Sequence, residues 1–221
     1  MCFSPEADIA TGIVVTAVGI DALRHVTSRE QLPLATLPLV FGAHQFIETF
    51  VWWDLQGKDS AFSGDDAMLL YLTIAFLLPL WVPLAIRGVE TSIERRRFMT
   101  FLAGVGFLVT AVLLITVFRG PVGAEIGGRY ITYEVGLPMP GLLGTLYVFA
   151  TCFAALASSD RWIRNYGIVN LAAVIVLVWM ALEGFASLWC AWAAITSVAI
   201  DLYLRSVKEF ETPLSEYRSS V

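Results

Sequence analysis

Runs of about twenty apolar residues recur along this chain, and that length limits what it can fold into. A bilayer core of about 30 Å is crossed by roughly 20 helical residues. Seven such windows are present, at approximately 8–27, 33–54, 67–87, 97–118, 140–158, 163–184 and 187–207. With 57% hydrophobic and only 15% charged residues among 221, the chain carries more apolar surface than one soluble core of this length uses. Lipid offers irregular backbone no hydrogen-bond partner, so the windows are expected to be helices. The predicted fold is all-α, a seven-transmembrane-helix bundle over residues 1–207 with a short cytoplasmic tail at 208–221 and no separate soluble domain. The lipid bilayer is the expected partner. Nothing in the charge pattern, with its net charge of −5, suggests a nucleic-acid binder.

The fourteen Lys and Arg set the expected orientation. Arg24, Arg29, Arg87, Arg95, Arg96, Arg97, Arg161, Arg164, Arg205, Lys208 and Arg218 follow the odd-numbered windows, while Lys58, Arg119 and Arg129 lie on the other side. Positive loops stay in the cytoplasm, which predicts an outer N-terminus and an inner C-terminus in the cell (inner) membrane. Glu6 and Asp8 stand where a cleavable signal would carry positive charge, so the first helix is expected to be retained. Ser4 and Pro5 give that helix a start signal, and its first-turn acids read as favourable charges at the positive helix end. Gly12, Thr16 and Gly19 form a small-residue stripe suited to close helix packing.

The second window ends in HQFIETFVWWD, residues 44–54. Leu37, Phe41, His44, Gln45, Glu48 and Trp52 share one face at helical spacing. A central intramembrane charge costs at least ~2.5 kcal/mol on insertion scales, so this face should point into the bundle or a wet cavity. Glu48 has two readings: a ligand-site carboxylate, or a neutral acid whose hydrogen bonds to Gln45 or another helix hold the bundle together. A lone histidine such as His44 is more often a satisfied hydrogen-bonding group than a ligand.

LEGF around Glu183 echoes IETF around Glu48 at an offset of 135 residues. The same offset lays the first helix on the fifth, which is consistent with a parallel 3+1+3 repeat. That layout resembles sugar transporters of the SWEET type. The first, fifth and sixth windows lack the internal prolines of those proteins, so sugar transport does not carry over. At similar depth, Glu48 and Glu183 could share a proton.

Cys2 and Cys190 are expected on the outer side, where they could form a disulfide or remain thiols, and Cys152 is expected to pack in mid-helix. A metal site on Cys2, Cys190 and His44 or Glu48 is the sharper alternative, but no C-x-x-C or H-x-x-x-H spacing supports it, and the sequence leaves any cofactor unknown. The opening MCFS, the stretch HQFIETFVWW and the late SLWCAWAAITS together are similar to an uncharacterised family of bacterial multi-pass membrane proteins. The carried positions are Cys2, Gln45, Glu48, Trp52, Trp189 and Cys190. Thr49 departs from that family's glycine, and His44 stands where glutamine is usual. The resemblance implies no activity.

Residues 119–139 form the longest outer loop, in which Gly127–Gly128 suits a tight primed turn between alternating residues. A small outer β-hairpin is predicted around 124–135, serving as lid or cap. Three function classes follow. The first is a polar pocket in the outer half of the bundle that binds, senses or transports a small molecule, with Gln45, Glu48, Trp52, Glu183 and His44 as ligand-binding candidates. The second is a membrane enzyme using Cys2, as an N-terminal nucleophile after Met1 removal, or the Glu48/Glu183 pair. The third is an accessory subunit of a homo-oligomer or larger membrane complex. With only His25 and His44, the chain lacks the three-histidine set of seven-helix zinc hydrolases. Lys208 lies at the cytoplasmic end of the last helix, misplaced for a retinal Schiff base.

Overall fold

The computed structural model describes residues 4–59, 62–128, 130–180 and 185–219, with side chains throughout these except at 180, 185–191 and 210–219. Seven long helices fall close to the seven apolar windows: α1 (Pro5–Arg24), α2 (Leu37–Leu55), α3 (Gly64–Val89), α4 (Ile93–Arg119), α5 (Pro140–Leu156), α6 (Arg161–Met180) and α7 (Phe185–Ser219). A short turn at Arg29–Gln31 and a four-residue helix at Leu32–Ala35 lead into α2. The segment expected as a separate tail after residue 207 continues α7 to Ser219. Among the described residues four segments are long and apolar enough to cross a membrane: Arg29–Leu55, Gly64–Val89, Ile93–Arg119 and Arg161–Trp179. Helix α5 is apolar but shorter.

The start of α1 follows its sequence signal. Ser4 adopts an extended conformation, its hydroxyl accepts from the Ala7 N–H at 3.3 Å, and Pro5 occupies a first-turn position that needs no donor. The small-residue stripe of α1 lies on α2. A Cβ on Gly12 would meet Phe46 at 3.0 Å, and one on Gly19 would meet the Leu39 backbone at 2.7 Å. A Cβ on Gly42 would overlap the Thr16 hydroxyl, so the two helices touch nearly backbone to backbone. Helix α7 closes the packing against α1, α2 and α6, and α4 lies against α3 and α5.

Pro79 and Pro83 lie inside α3, and a neighbouring helix replaces the hydrogen bond that Pro79 removes. Without an N–H on Pro79, the Ala75 carbonyl loses its helical donor, and the Tyr147 hydroxyl of α5 donates to it at 2.8 Å. The Thr110 hydroxyl of α4 donates to the Phe76 carbonyl at 2.8 Å. Gly106 of α4 stands against the Pro79 carbonyl so closely that any Cβ would collide with it.

Strands β1 (Val122–Ile126) and β2 (Ile131–Val135) pair antiparallel, with Val122 opposite Val135 and Ile126 opposite Ile131. The hairpin is as predicted, but its connection is a four-residue loop, 127–130, in place of a two-residue turn. Gly127 N–H donates to the Tyr130 carbonyl at 2.9 Å, and Gly128 takes the positive φ of 76° that favours glycine. Ile131 is fully buried in a cluster with Val51, Trp52, Met68, Tyr71, Leu72 and Val117, so the hairpin is seated in the mouth of the bundle.

Candidate functional site

The lead-in Leu32–Ala35 and the Pro38 start fix where α2 begins, and its 3.6-residue period then places the polar face. His44, Gln45, Glu48, Thr49 and Trp52 are all buried, with Gln45 and Glu48 fully enclosed. They lie toward the end of α2 nearer the hairpin.

His44 is held from two directions. Its Nε2 lies 2.9 Å from the Tyr71 carbonyl, which only accepts, so that nitrogen carries the proton. Its ring also stacks on Tyr71 with centroids 3.8 Å apart and planes 21° apart. Tyr71 stacks in turn on Tyr133 of β2 at 4.7 Å and 16°. A column His44–Tyr71–Tyr133 therefore runs from α2 through α3 to the hairpin. The Thr49 hydroxyl donates back to the Gln45 carbonyl at 3.2 Å. Trp52 is 3% exposed, and its indole N–H has no acceptor among the described residues.

Asp8 joins this region unannounced. Its first-turn position explained it as a helix-end charge, yet it is fully buried. The antiparallel register that sets Gly12 on Phe46, Thr16 on Gly42 and Gly19 on Leu39 brings Asp8 level with Phe50, about half a turn from Glu48 along the axis. Two carboxyls from adjacent helices thus lie at a similar level in the half of the bundle nearer the hairpin. Tyr71 was also missed, because a tyrosine inside an apolar helix carries no sequence signal of its partner.

The remaining expectations divide by position. Glu183 and Cys2 lie outside the described residues, as do the side chains of Trp189 and Cys190, and with them the Glu48/Glu183 and Cys2/Cys190 pairings. Cys152 is buried in α5, as expected. It borders a cavity of about 50 Å³ deeper in the bundle, lined mainly by Leu34, Leu37, Phe41, Leu78, Val82 and Ile86, with Tyr166 and Asn170 among its polar groups. That volume is small beside the ~300–1,000 Å³ of typical small-molecule pockets.

At the opposite end, two polar clusters join helices. Asp21, His25 and Asp201 bring ligand-type atoms within 4.8 Å of one another, but Arg205 already occupies the carboxylates. Its Nη2 is 2.5 Å from Asp21 Oδ2 and its Nε 2.8 Å from Asp201 Oδ2, tying α7 to α1. The i,i+4 pairs Asp21/His25 and Asp201/Arg205 were visible in the sequence, whereas their meeting was not. Glu90, just past the end of α3, accepts from Ser92 N–H at 2.8 Å, Ser158 Oγ at 3.0 Å, Ser159 N–H at 2.8 Å and the Ser159 hydroxyl. Burial alone would push its pKa up; the donors of Ser159, Ser92 and Ser158 outweigh burial and hold the carboxyl below its ordinary value of 4.5.

These features define a helical protein with membrane-length apolar helices, a capped polar face at one end and charged clasps at the other. The chain belongs to DUF6629, a family of unknown function whose model matches residues 1–213. No curated protein and no solved structure matches it.

Proposed function

We propose that this is a seven-span integral membrane protein, N-terminus outside and C-terminus in the cytoplasm, whose polar face on α2 binds a small molecule for transport or sensing. The membrane reading is supported by the four membrane-length segments and by the apolar surface of α4, where Phe101, Phe107, Leu108, Ile115 and Phe118 are each more than half exposed. A water-soluble chain would leave that stripe uncovered, whereas lipid covers it. The eleven to three split of Lys and Arg supplies the orientation. A reporter active only outside the cytoplasm, fused after Arg218, should stay silent, and outside labelling near Lys58 should succeed; the opposite pair of results reverses the assignment.

One observation carries the binding role: His44, Gln45, Glu48, Thr49 and Trp52 are buried together on one helix face, level with Asp8 and beneath the hairpin. Ionisable groups at such depth are expensive and mark ligand, ion or proton paths by default. The reading favours a Glu48 that is neutral until a ligand or cation arrives. Glu48→Gln should leave stability nearly unchanged, because amide and neutral acid have similar shapes, while removing the pH response of tryptophan emission near Trp52. If that response persists in both Glu48→Gln and Glu48→Leu, and Glu48→Leu is as stable as the parent, the pocket reading fails.

A further inference from the structure

The cavity beside Cys152 is lined by five of the long helices. Leu37 and Phe41 come from α2, Leu78 and Val82 from α3, Cys152 from α5 and Ala193 from α7, with Tyr166 and Asn170 of α6 completing the wall. Close-packed interiors hold few voids larger than a water molecule, so a cavity of about 50 Å³ where these helices meet is a feature of the packing. Small residues keep the wall back: Ala155, Gly167 and Ala193 line it, and a longer side chain at the buried Ala193 would fill it.

The polar atoms in the wall decide what kind of guest fits. An ordered water in a buried cavity typically makes about three hydrogen bonds to polar groups that lack other partners. Here the Tyr147 hydroxyl already donates to the Ala75 carbonyl at 2.8 Å, and the Thr151 hydroxyl to the Tyr147 carbonyl at 2.9 Å. The Asn170 amide donates to the Tyr166 carbonyl at 2.8 Å and its oxygen accepts from Trp192 Nε1 at 3.1 Å, while the Tyr166 hydroxyl bonds with Thr196 and Asn170. These bonds run between protein groups, and the rest of the wall is aliphatic, aromatic or the Cys152 thiol. A lining of this kind suits an apolar guest more than water.

We infer that this cavity binds one small apolar molecule of the dissolved-gas class, about the size of dioxygen. A water's share of liquid volume is about 30 Å³, so the cavity's 50 Å³ admits a guest of roughly two heavy atoms and excludes lipid chains and drug-sized ligands. Apolar molecules of this class favour hydrocarbon over water, and the cavity lies among membrane-length apolar helices. Its wall includes Tyr147, whose hydroxyl replaces the donor that Pro79 removes from α3, so the guest would lie beside the bond that closes that break. The inference uses none of His44, Gln45, Glu48, Thr49 or Trp52 and is independent of the polar-face reading.

The test uses the full chain in detergent micelles, with xenon under pressure as the apolar probe and methyl NMR as the readout. The methyl signals of Leu37 and Leu78 should shift saturably with xenon pressure, while those of the exposed Leu108, which meets only xenon dissolved in the micelle, should shift linearly. Ala193→Leu should abolish the saturable shift. Val82→Ala, which widens the cavity, should strengthen it and keeps the test decisive if Ala193→Leu folds poorly. Linear shifts at every methyl, an undiminished saturable shift in folded Ala193→Leu, no gain in Val82→Ala, or magnetisation transfer from ordered water to the Leu37 and Leu78 methyls would overturn the site. Glu48→Gln should leave the xenon titration unchanged, so a failure here leaves the polar-face reading standing.

Discussion

At the end of the bundle away from the hairpin, buried or half-buried carboxylates meet named donors: Glu90 gathers three serines, and Asp21 and Asp201 divide the guanidinium of Arg205 between them. Near the hairpin, Asp8 and Glu48 are enclosed at a similar level of two close-packed helices, beside an aromatic column and a Trp52 N–H that meets no acceptor among the described residues. The first arrangement fastens loops and helix ends, and each group in it has an evident structural task. The second gathers ionisable and polar groups on two close-packed helices. Polar burial alone therefore does not mark a site.

On this contrast, the largest stability loss should come from the end with the charged clasps. Glu90→Ala strips the acceptor from several donors at once and should cost about 2–4 kcal/mol, read from denaturation of the protein in detergent. A loss under about 1 kcal/mol would mean that water replaces the carboxylate and that the clasp is decorative. Glu48→Leu comes next, at about 1–3 kcal/mol if a polar neighbour loses its partner. Glu48→Gln should separate function from stability in a way that no substitution at Glu90 does.

The pH dependence should also divide the two ends. Because the folded-state pKa of Glu90 lies below 4.5, its contribution is present above about pH 4.5 and fades as pH falls through the lower folded value. Melting temperature should therefore drop on acidification below pH 4.5, and Glu90→Gln should flatten that drop. An unchanged acid slope in the variant would assign the effect to other carboxylates.

Smaller effects test the edges of the comparison. Tyr133→Leu keeps the hairpin apolar but removes the outermost ring of the His44–Tyr71–Tyr133 column, for an expected loss of about 0.5–1.5 kcal/mol. Faster hydrogen exchange over 122–135 should accompany it; unchanged exchange would show that Ile131 alone seats the hairpin. Arg205→Ala should have the smallest effect, since the guanidinium is 45% exposed and screened by solvent. Its effect should shrink further at high salt.

Much of the architecture was legible because long apolar helices satisfy their backbone locally, which makes length and hydropathy sufficient signals. The seven windows, the Ser4–Pro5 start of α1, the close-packing stripe Gly12/Thr16/Gly19 and the hairpin near 124–135 all follow from residues adjacent in sequence or one turn apart. The polar face of α2 was legible for the same reason, since helical period alone puts Gln45, Glu48 and Trp52 together.

What tertiary structure decided is which distant groups meet. Asp8 reads as a helix-end charge until the register of α1 on α2 buries it level with Phe50. His44 reads as a solitary histidine until α3 brings Tyr71 against it and β2 adds Tyr133. Arg205 lies 184 residues from Asp21, and Tyr147 lies 72 residues from the carbonyl that Pro79 leaves without its helical donor. Such pairings depend on the rotation and axial offset of one helix against another. Those quantities come from side-chain packing between helices, and periodicity within a single helix carries no record of them.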